Sequence, residues 1–220
     1  MRKAFAIFDM DGTLVDSMGA WNRLSDEYLA SRNFPPLTPE LQEQSIALTM
    51  LGTAELFVRT YGLSETPERI AGEINALMER HYRTDIPLKP GACVCLNRLR
   101  EAGVSMCIAS STAPDLIDIC LRRLGLREYF QFLLSCEEVG AGKNKPDVYL
   151  EAARRLGSTP DNTIVFEDIL VAAATAKKAG FTLGVVYDEN SAAEQEQLKA
   201  LADRYITRWD DPALLQWLEV

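Results

Sequence analysis

The sequence predicts an α/β fold: a doubly wound parallel sheet, interrupted after its first strand by an all-helical insertion. Three observations carry that expectation. Residues 4–8, Ala-Phe-Ala-Ile-Phe, are a short apolar run closing on a polar turn, as a buried strand does. From residue 17 to about 87 the apolar residues recur at helical spacing, and no convincing strand interrupts them. From 88 onward, strand-like runs alternate with helical ones, the pattern of a parallel sheet covered on both faces. The economical solution is a Rossmann-like core of residues 1–16 and 88–220, with residues 17–87 as an inserted helical domain.

Within the insertion, Trp21, Leu24, Tyr28 and Leu29 mark a first helix, which the Pro35-Pro36 pair ends. Thr38-Pro39-Glu40 has the form of an N-cap followed by proline at the first helical position. Gly62 and Pro67 delimit two more helical stretches, the second reaching about Tyr82. Ile86-Pro87-Leu88-Lys89-Pro90-Gly91 has linker composition and suits the return crossing. In the core, a helix over about 91–102 ends at Gly103, a C-terminal glycine. Strands are expected at 104–109, 132–135, 163–166 and 182–186. Helices are expected from Thr112 to Gly125 and over 146–156, 169–179, 191–203 and 211–218.

Composition limits the function. At 220 residues the chain suits one or two domains and needs no disulfide staples. With 47% hydrophobic and 25% charged residues, it is neither disordered, collagen-like nor a coiled coil. Its 23 Lys+Arg against 32 Asp+Glu give a net charge of -9, which repels nucleic acid and anionic membrane. The lone histidine, His81, excludes a multi-histidine metal site, and a Ser-His-Asp triad would have to use it. Near the end of the insertion, it reads as a surface or packing residue. Hydrolytic chemistry is therefore expected to run on carboxylates, lysine and a hard metal.

Cys93, Cys95, Cys107, Cys120 and Cys136 are odd in number and irregularly spaced, as reduced, buried thiols of a cytoplasmic protein are. Cys93 and Cys95 lie in a helical pattern, where positions i and i+2 face different ways, so packing is expected there rather than a metal. The start, MRKAFAIFDMDG, begins like a signal peptide, but Asp9 and Asp11 cut the apolar stretch short. No run approaches the roughly 18 apolar residues of a membrane span. A monomer is the default expectation.

In an open parallel sheet, ligands bind beyond the carboxyl ends of the strands. Asp9-Met10-Asp11-Gly12-Thr13 follows the first strand, Ser110-Ser111-Thr112 the second, and Glu167-Asp168 the strand at 163–166. The basic loop Gly140-Ala141-Gly142-Lys143-Asn144-Lys145 precedes a helix. Clustered carboxylates without histidine favour Mg²⁺. A hydroxyl, backbone N–H groups and a lysine suit a phosphate. Aspartate is a nucleophile in aspartyl-phosphate chemistry, and a second aspartate two residues on could serve as acid and base.

Each feature also has a plainer explanation. Asp-Gly is a common turn, Ser-Ser-Thr before Pro114 is also a helix cap, and Lys143 could be a solvated loop lysine with Lys145 as its understudy. Glu167 and Asp168 could simply be acids at a helix start. Asp16 and Ser17 mark the entry to the insertion, Trp21 could face a substrate or the insertion's own core, and Met10 reads as packing.

Phe8-Asp9-Met10-Asp11-Gly12-Thr13-Leu14-Val15-Asp16-Ser17 resembles the first motif of the haloacid dehalogenase-like (HAD) superfamily. Ser110 resembles the second, Lys143 in Gly142-Lys143-Asn144-Lys145-Pro146-Asp147 the third, and Glu167-Asp168 the fourth. The resemblance runs from residue 5 to Gly180. The insertion is similar to the cap domain of the branch containing phosphoglycolate phosphatase and β-phosphoglucomutase.

The resemblance implies a Mg²⁺-dependent phosphatase of a small phosphorylated metabolite. Asp9 is its implied nucleophile and Asp11 its general acid and base. Asp9, Asp168 and the backbone carbonyl of Asp11 are implied to hold Mg²⁺, with Glu167 as a further ligand or a support behind the ligands. Ser110, N–H groups near Ser111, and Lys143 are implied to receive the phosphoryl group. The carboxylate at Asp11 separates this chain from the dehalogenases proper.

Ile169 and Ala172 stand where the family usually has serine and glycine, and Asn144 where it has proline. Trp21 replaces a histidine common in the mutase branch. A β-phosphoglucomutase-like sugar phosphomutase is the alternative, followed by a non-catalytic binding module on the same fold.

Overall fold

The computed structural model describes residues 4–46, 48 and 50–219. The chain divides into two compact units, one of Met1–Met18 with Ile86–Val220, the other of Gly19–Asp85.

The first unit is built on a six-stranded sheet of parallel strands in the order β3-β2-β1-β4-β5-β6. Its strands are β1 (Phe5–Phe8), β2 (Ser105–Ser110), β3 (Leu133–Ser135), β4 (Thr163–Glu167), β5 (Thr182–Val186) and β6 (Arg204–Ile206). The central strands are buried along nearly their whole length, which is why they read as continuous apolar runs rather than alternations. On one face, Ile7, Cys107, Val165 and Val185 pack with Tyr149, Ala152, Ala173 and Ala176 from the covering helices. Elsewhere in this core, Phe8 stacks on Phe166 at 4.6 Å and Trp209 meets Phe166 edge-on at 5.0 Å. Gly184 is small because the Phe166 ring lies against it: a Cβ there would sit 2.6 Å from Phe166 Cε1.

Helices of the sheet-bearing unit follow the expected alternation with trimmed ends. They are α5 (Ala92–Glu101), α6 (Pro114–Arg123), α7 (Cys136–Val139), α8 (Asp147–Leu156), α9 (Leu170–Lys178), α10 (Gln195–Leu201) and α11 (Pro212–Leu218). One expected helix is corrected, and two short elements are present that the sequence pattern does not announce. The stretch 191–203 is not one helix: a 3-10 segment, Glu189–Glu194, precedes α10, and β6 follows it. β6 escaped detection because it is a three-residue edge strand, paired on one side and only partly buried. The short helix α7 escaped too, although Ser135 and Glu138 form a capping box at its start. The expectation of five buried thiols fails at Cys93, which is exposed because α5 turns Ala92, Cys95, Leu96 and Leu99 inward instead; the other four thiols are buried and all five are free.

The second unit, among the described residues, contains helices only. They are α1 (Met18–Ser31, which begins at the last residue of the first unit), α2 (Pro39–Ile46), α3 (Met50–Tyr61) and α4 (Pro67–Thr84). Thr38 Oγ1 accepts from Leu41 N at the start of α2, and Thr66 Oγ1 accepts from Arg69 N at the start of α4. α4 buries Ile70, Ile74, Met78 and Tyr82, one residue per turn on one face. α1 contributes Leu24, Tyr28 and Leu29 to that core, and α3 contributes Phe57. Trp21 is half-buried, and its indole N–H donates to Tyr82 Oη at 3.2 Å.

His81 lies between Glu27 (2.8 Å) and Asp85 (3.0 Å). The bond to Glu27 raises its imidazolium above the ordinary value; burial opposes this and Asp85 adds to it. A group raised in the folded state stabilises fully below its unfolded value of about 6.5, and that stabilisation fades as pH climbs through the folded value. His81→Gln should therefore lower the thermal midpoint at pH 6 and leave it nearly unchanged at pH 9, an effect of about 1 kcal/mol or less. Thermal unfolding at both pH values checks this. Gly184→Ala should destabilise the sheet-bearing unit by about 1–3 kcal/mol through the Phe166 collision, measured by denaturant unfolding.

Candidate active site

The strand register sets the site. Phe8 pairs with both Ile108 and Phe166, and Asp9 N donates to Phe166 O, so Asp9 leaves β1 beside the end of β4. The chain then turns sharply: Leu14 N and Val15 N both donate to Met10 O, and Gly12 N donates to Val15 O. Gly12 sits at φ +80°, and a Cβ there would collide with Asp168 Oδ2, so glycine is required on two counts. Trp209 Nε1 donates to Thr13 O at 3.1 Å, fastening this loop to the C-terminal part of the unit.

Asp9, Glu167 and Asp168 come together as buried carboxylates, each offering an oxygen within 4.8 Å of the others. Lys143 is buried among them. Its ammonium donates to Asp9 Oδ1 and, at 2.6 Å, to Glu167 Oε1. Tyr149, on α8, donates to the same Glu167 Oε1 at 2.7 Å. Thr13 Oγ1 donates to Asp168 Oδ1 at 3.1 Å. Glu167 Oε2 and Asp168 Oδ2 are buried without a hydrogen-bond partner among the described residues.

The electrostatics follow from that crowding. Burial, with Asp9 adding repulsion, pushes the Glu167 carboxyl up to about 7 against the pull of Lys143. Burial, Asp9 and Glu167 likewise raise Asp168 well above the usual carboxylate range. Burial alone would lower Lys143, but Asp9 and Glu167 hold its ammonium above the ordinary value. Tyr149 is raised by burial and by Glu167, and stays a donor. Three buried carboxylates face one buried ammonium. The cluster therefore calls for a further cation, and its oxygen-only donors suit a hard one such as Mg²⁺. The orphaned oxygens of Glu167 and Asp168, the latter lying close against Gly12, fit such an ion.

Asp11 stands apart from this cluster. Ser17 Oγ donates to its Oδ1 at 2.5 Å and Thr112 Oγ1 to its Oδ2 at 2.8 Å. Ser110 is buried, and its Oγ accepts from Thr112 N at 3.1 Å, so the loop after β2 is drawn toward Asp11. Ser111 is exposed and its hydroxyl faces Cys136 Sγ at 3.7 Å. Lys145 is exposed, unlike Lys143.

One plainer explanation is not realised: α6 is capped by Ala113 without a side-chain bond, so Ser110–Thr112 do not cap it. Glu167 and Asp168 do stand just before α9, whose N-cap is Ile169. Asp16 is exposed, 3.9 Å from the Lys89 ammonium, which donates to the buried Asp188. Met10 is buried packing.

Sequence reasoning passed over Thr13, Thr112 and Tyr149 as site groups and left Ser17 only as a boundary mark. Thr13, Ser17 and Thr112 lie inside or beside the quoted motifs, where a hydroxyl was a usable signal. Tyr149 carries none, for it sits on the buried face of a helix like any core aromatic.

Residues 5–180 match the family described as haloacid dehalogenase-like hydrolase. The chain belongs to that family. It is 30% identical over 187 residues to a phosphoglycolate phosphatase of Rhodobacter capsulatus, covering 83% of each chain. It is 26% identical over 202 residues to a phosphorylated carbohydrates phosphatase of Thermotoga maritima, covering 89% of this chain and 91% of that one. In fold it is similar to the CbbY protein of Rhodobacter sphaeroides, solved in complex with phosphate, with a TM-score of 0.82 at 23% identity over 99% of this chain and 100% of that one.

Gly12→Ala should displace Asp168 and strain the turn. We expect divalent-cation affinity to fall by about 10–100-fold, as is typical of lost support around a metal. Calorimetric titration of metal-stripped protein measures this.

Proposed function

We propose that this chain is a Mg²⁺-dependent phosphatase of a small phosphorylated metabolite, working through a phospho-aspartate on Asp9. The observation that carries the reading is the pair of aspartates on one turn: Asp9 buried against Lys143, and Asp11 two residues on, tethered by Ser17 and Thr112. Family membership and two relatives named as phosphatases of small phosphorylated compounds support it.

Asp9, Asp168 and the Asp11 carbonyl would hold Mg²⁺, with Glu167 at its side. The ion when bound would offset the repulsion between a phosphate dianion and the attacking carboxylate. A carboxylate oxygen of Asp9 attacks phosphorus, and the bond from phosphorus to the leaving oxygen breaks. Asp11, protonated, gives its proton to that oxygen. Asp11 then takes a proton from water as the water attacks phosphorus, the Asp9 ester bond breaks, and phosphate leaves. Lys143 balances charge at Asp9 throughout, and Ser110 with the N–H groups near Ser111 receives the phosphoryl oxygens.

The insertion at 17–87 is proposed as a cap that recognises the non-phosphate part of the substrate. It leaves the core directly after the Asp9–Ser17 segment, so its position can respond to what that segment binds. The five free thiols suit the reducing cytoplasm, and no helix among the described residues is long and apolar enough to cross a membrane. A monomer is proposed.

Phosphate release from a panel of phosphorylated metabolites, with Mg²⁺ and with chelator, tests the reading. Release should require Mg²⁺, and Asp9→Asn should lower kcat by about 10³-fold or more. Release that survives Asp9→Asn would sink the assignment of the nucleophile. A sugar phosphate isomerised without phosphate release would instead mark a mutase.

A further inference from the structure

We infer that Tyr149 is a positioning residue that sets which oxygen of Glu167 faces the cation. The argument starts from a count of bonds on one carboxylate. Glu167 is fully buried, so each of its oxygens needs a partner. Oε1 accepts from both Lys143 Nζ (2.6 Å) and Tyr149 Oη (2.7 Å). Oε2 has no hydrogen-bond partner among the described residues.

Two donors from two different elements, the loop before α8 and α8 itself, thus converge on Oε1. Rotation of the carboxylate would break both bonds at once. Glu167 offers one carboxylate oxygen to the cluster with Asp9 and Asp168, and Oε2 is the one that no donor occupies among the described residues. Without the Tyr149 hydroxyl, Lys143 would be the one donor left on Oε1, and that ammonium is also shared with Asp9. The carboxylate could then turn, and Lys143 would follow it or stay with Asp9. Tyr149 is itself fixed by packing: it is fully buried, and its ring meets Phe181 edge-on at 6.3 Å. Its hydroxyl is therefore carried on a rigid part of the core, as a group that orients a ligand should be.

The activity arm of this inference rests on the phosphatase reading above; the binding arm does not. The experiment is a double-mutant cycle of wild type, Tyr149→Phe, Glu167→Ala and the double variant. Tyr149→Phe keeps the ring and its contact with Phe181. Each protein is stripped of metal and titrated with Mg²⁺ by calorimetry, and kcat and KM are measured on an aryl phosphate monoester.

Tyr149→Phe should weaken Mg²⁺ binding about tenfold and lower kcat about tenfold, with KM within about twofold. In the Glu167→Ala background the same change should cost nothing further. Unchanged Mg²⁺ affinity in Tyr149→Phe would overturn the inference. So would an equal loss in both backgrounds, which would mark a packing role. If wild type releases phosphate neither from the aryl ester nor from the metabolite panel, the phosphatase reading falls while the calorimetric cycle still decides on Tyr149.

Discussion

The structure turns on a charge imbalance buried at the end of the sheet. Asp9, Glu167 and Asp168 converge where β1 and β4 end, and among the described residues Lys143 is the one ammonium placed among them. Carboxylates taken out of water are costly unless paired. One cation cannot pair three anions, so the fold is stable here only with protons on some of the carboxyls or with another cation beside them. Both the raised Glu167 and Asp168 and the two orphaned oxygens express that condition.

The parallel sheet makes this concentration possible. Each strand delivers its next residue to the same edge, so acids far apart in sequence arrive together without long side chains reaching across. The aromatic cluster of Phe8, Phe166 and Trp209 stiffens the strands just before that edge. Trp209 also reaches the carbonyl of Thr13, so the loop between Asp9 and Asp11 is braced from the far end of the chain. Packing thereby supports the site alongside the Lys143 ion pairs.

Much of this was legible beforehand. The central strands were plain because burial on both faces leaves uninterrupted apolar runs, and the acids stood out because they follow those runs. β6 was not legible, since an edge strand of three residues carries no pattern longer than chance. Nor was the role of Tyr149: the same helical position reads as core whether or not its hydroxyl meets a carboxylate. The loop Ser110–Thr112 was read as phosphate site or helix cap. It is not a helix cap, and its bond to Asp11 depends on a three-dimensional approach that no spacing announces.

Asp16 N donates to Pro87 O and Lys89 N donates to Leu14 O, so the outgoing and returning chain lie side by side as a short antiparallel ladder at Val15 and Leu88. The sheet-bearing unit closes its own hydrogen bonds at the very point where some seventy residues depart and come back. To that unit, the excursion is nearly a loop of zero span. Evolution can therefore lengthen, shorten or exchange the excursion as a module, with the sheet strands left in register, because the junction asks only that two chain ends meet as neighbours.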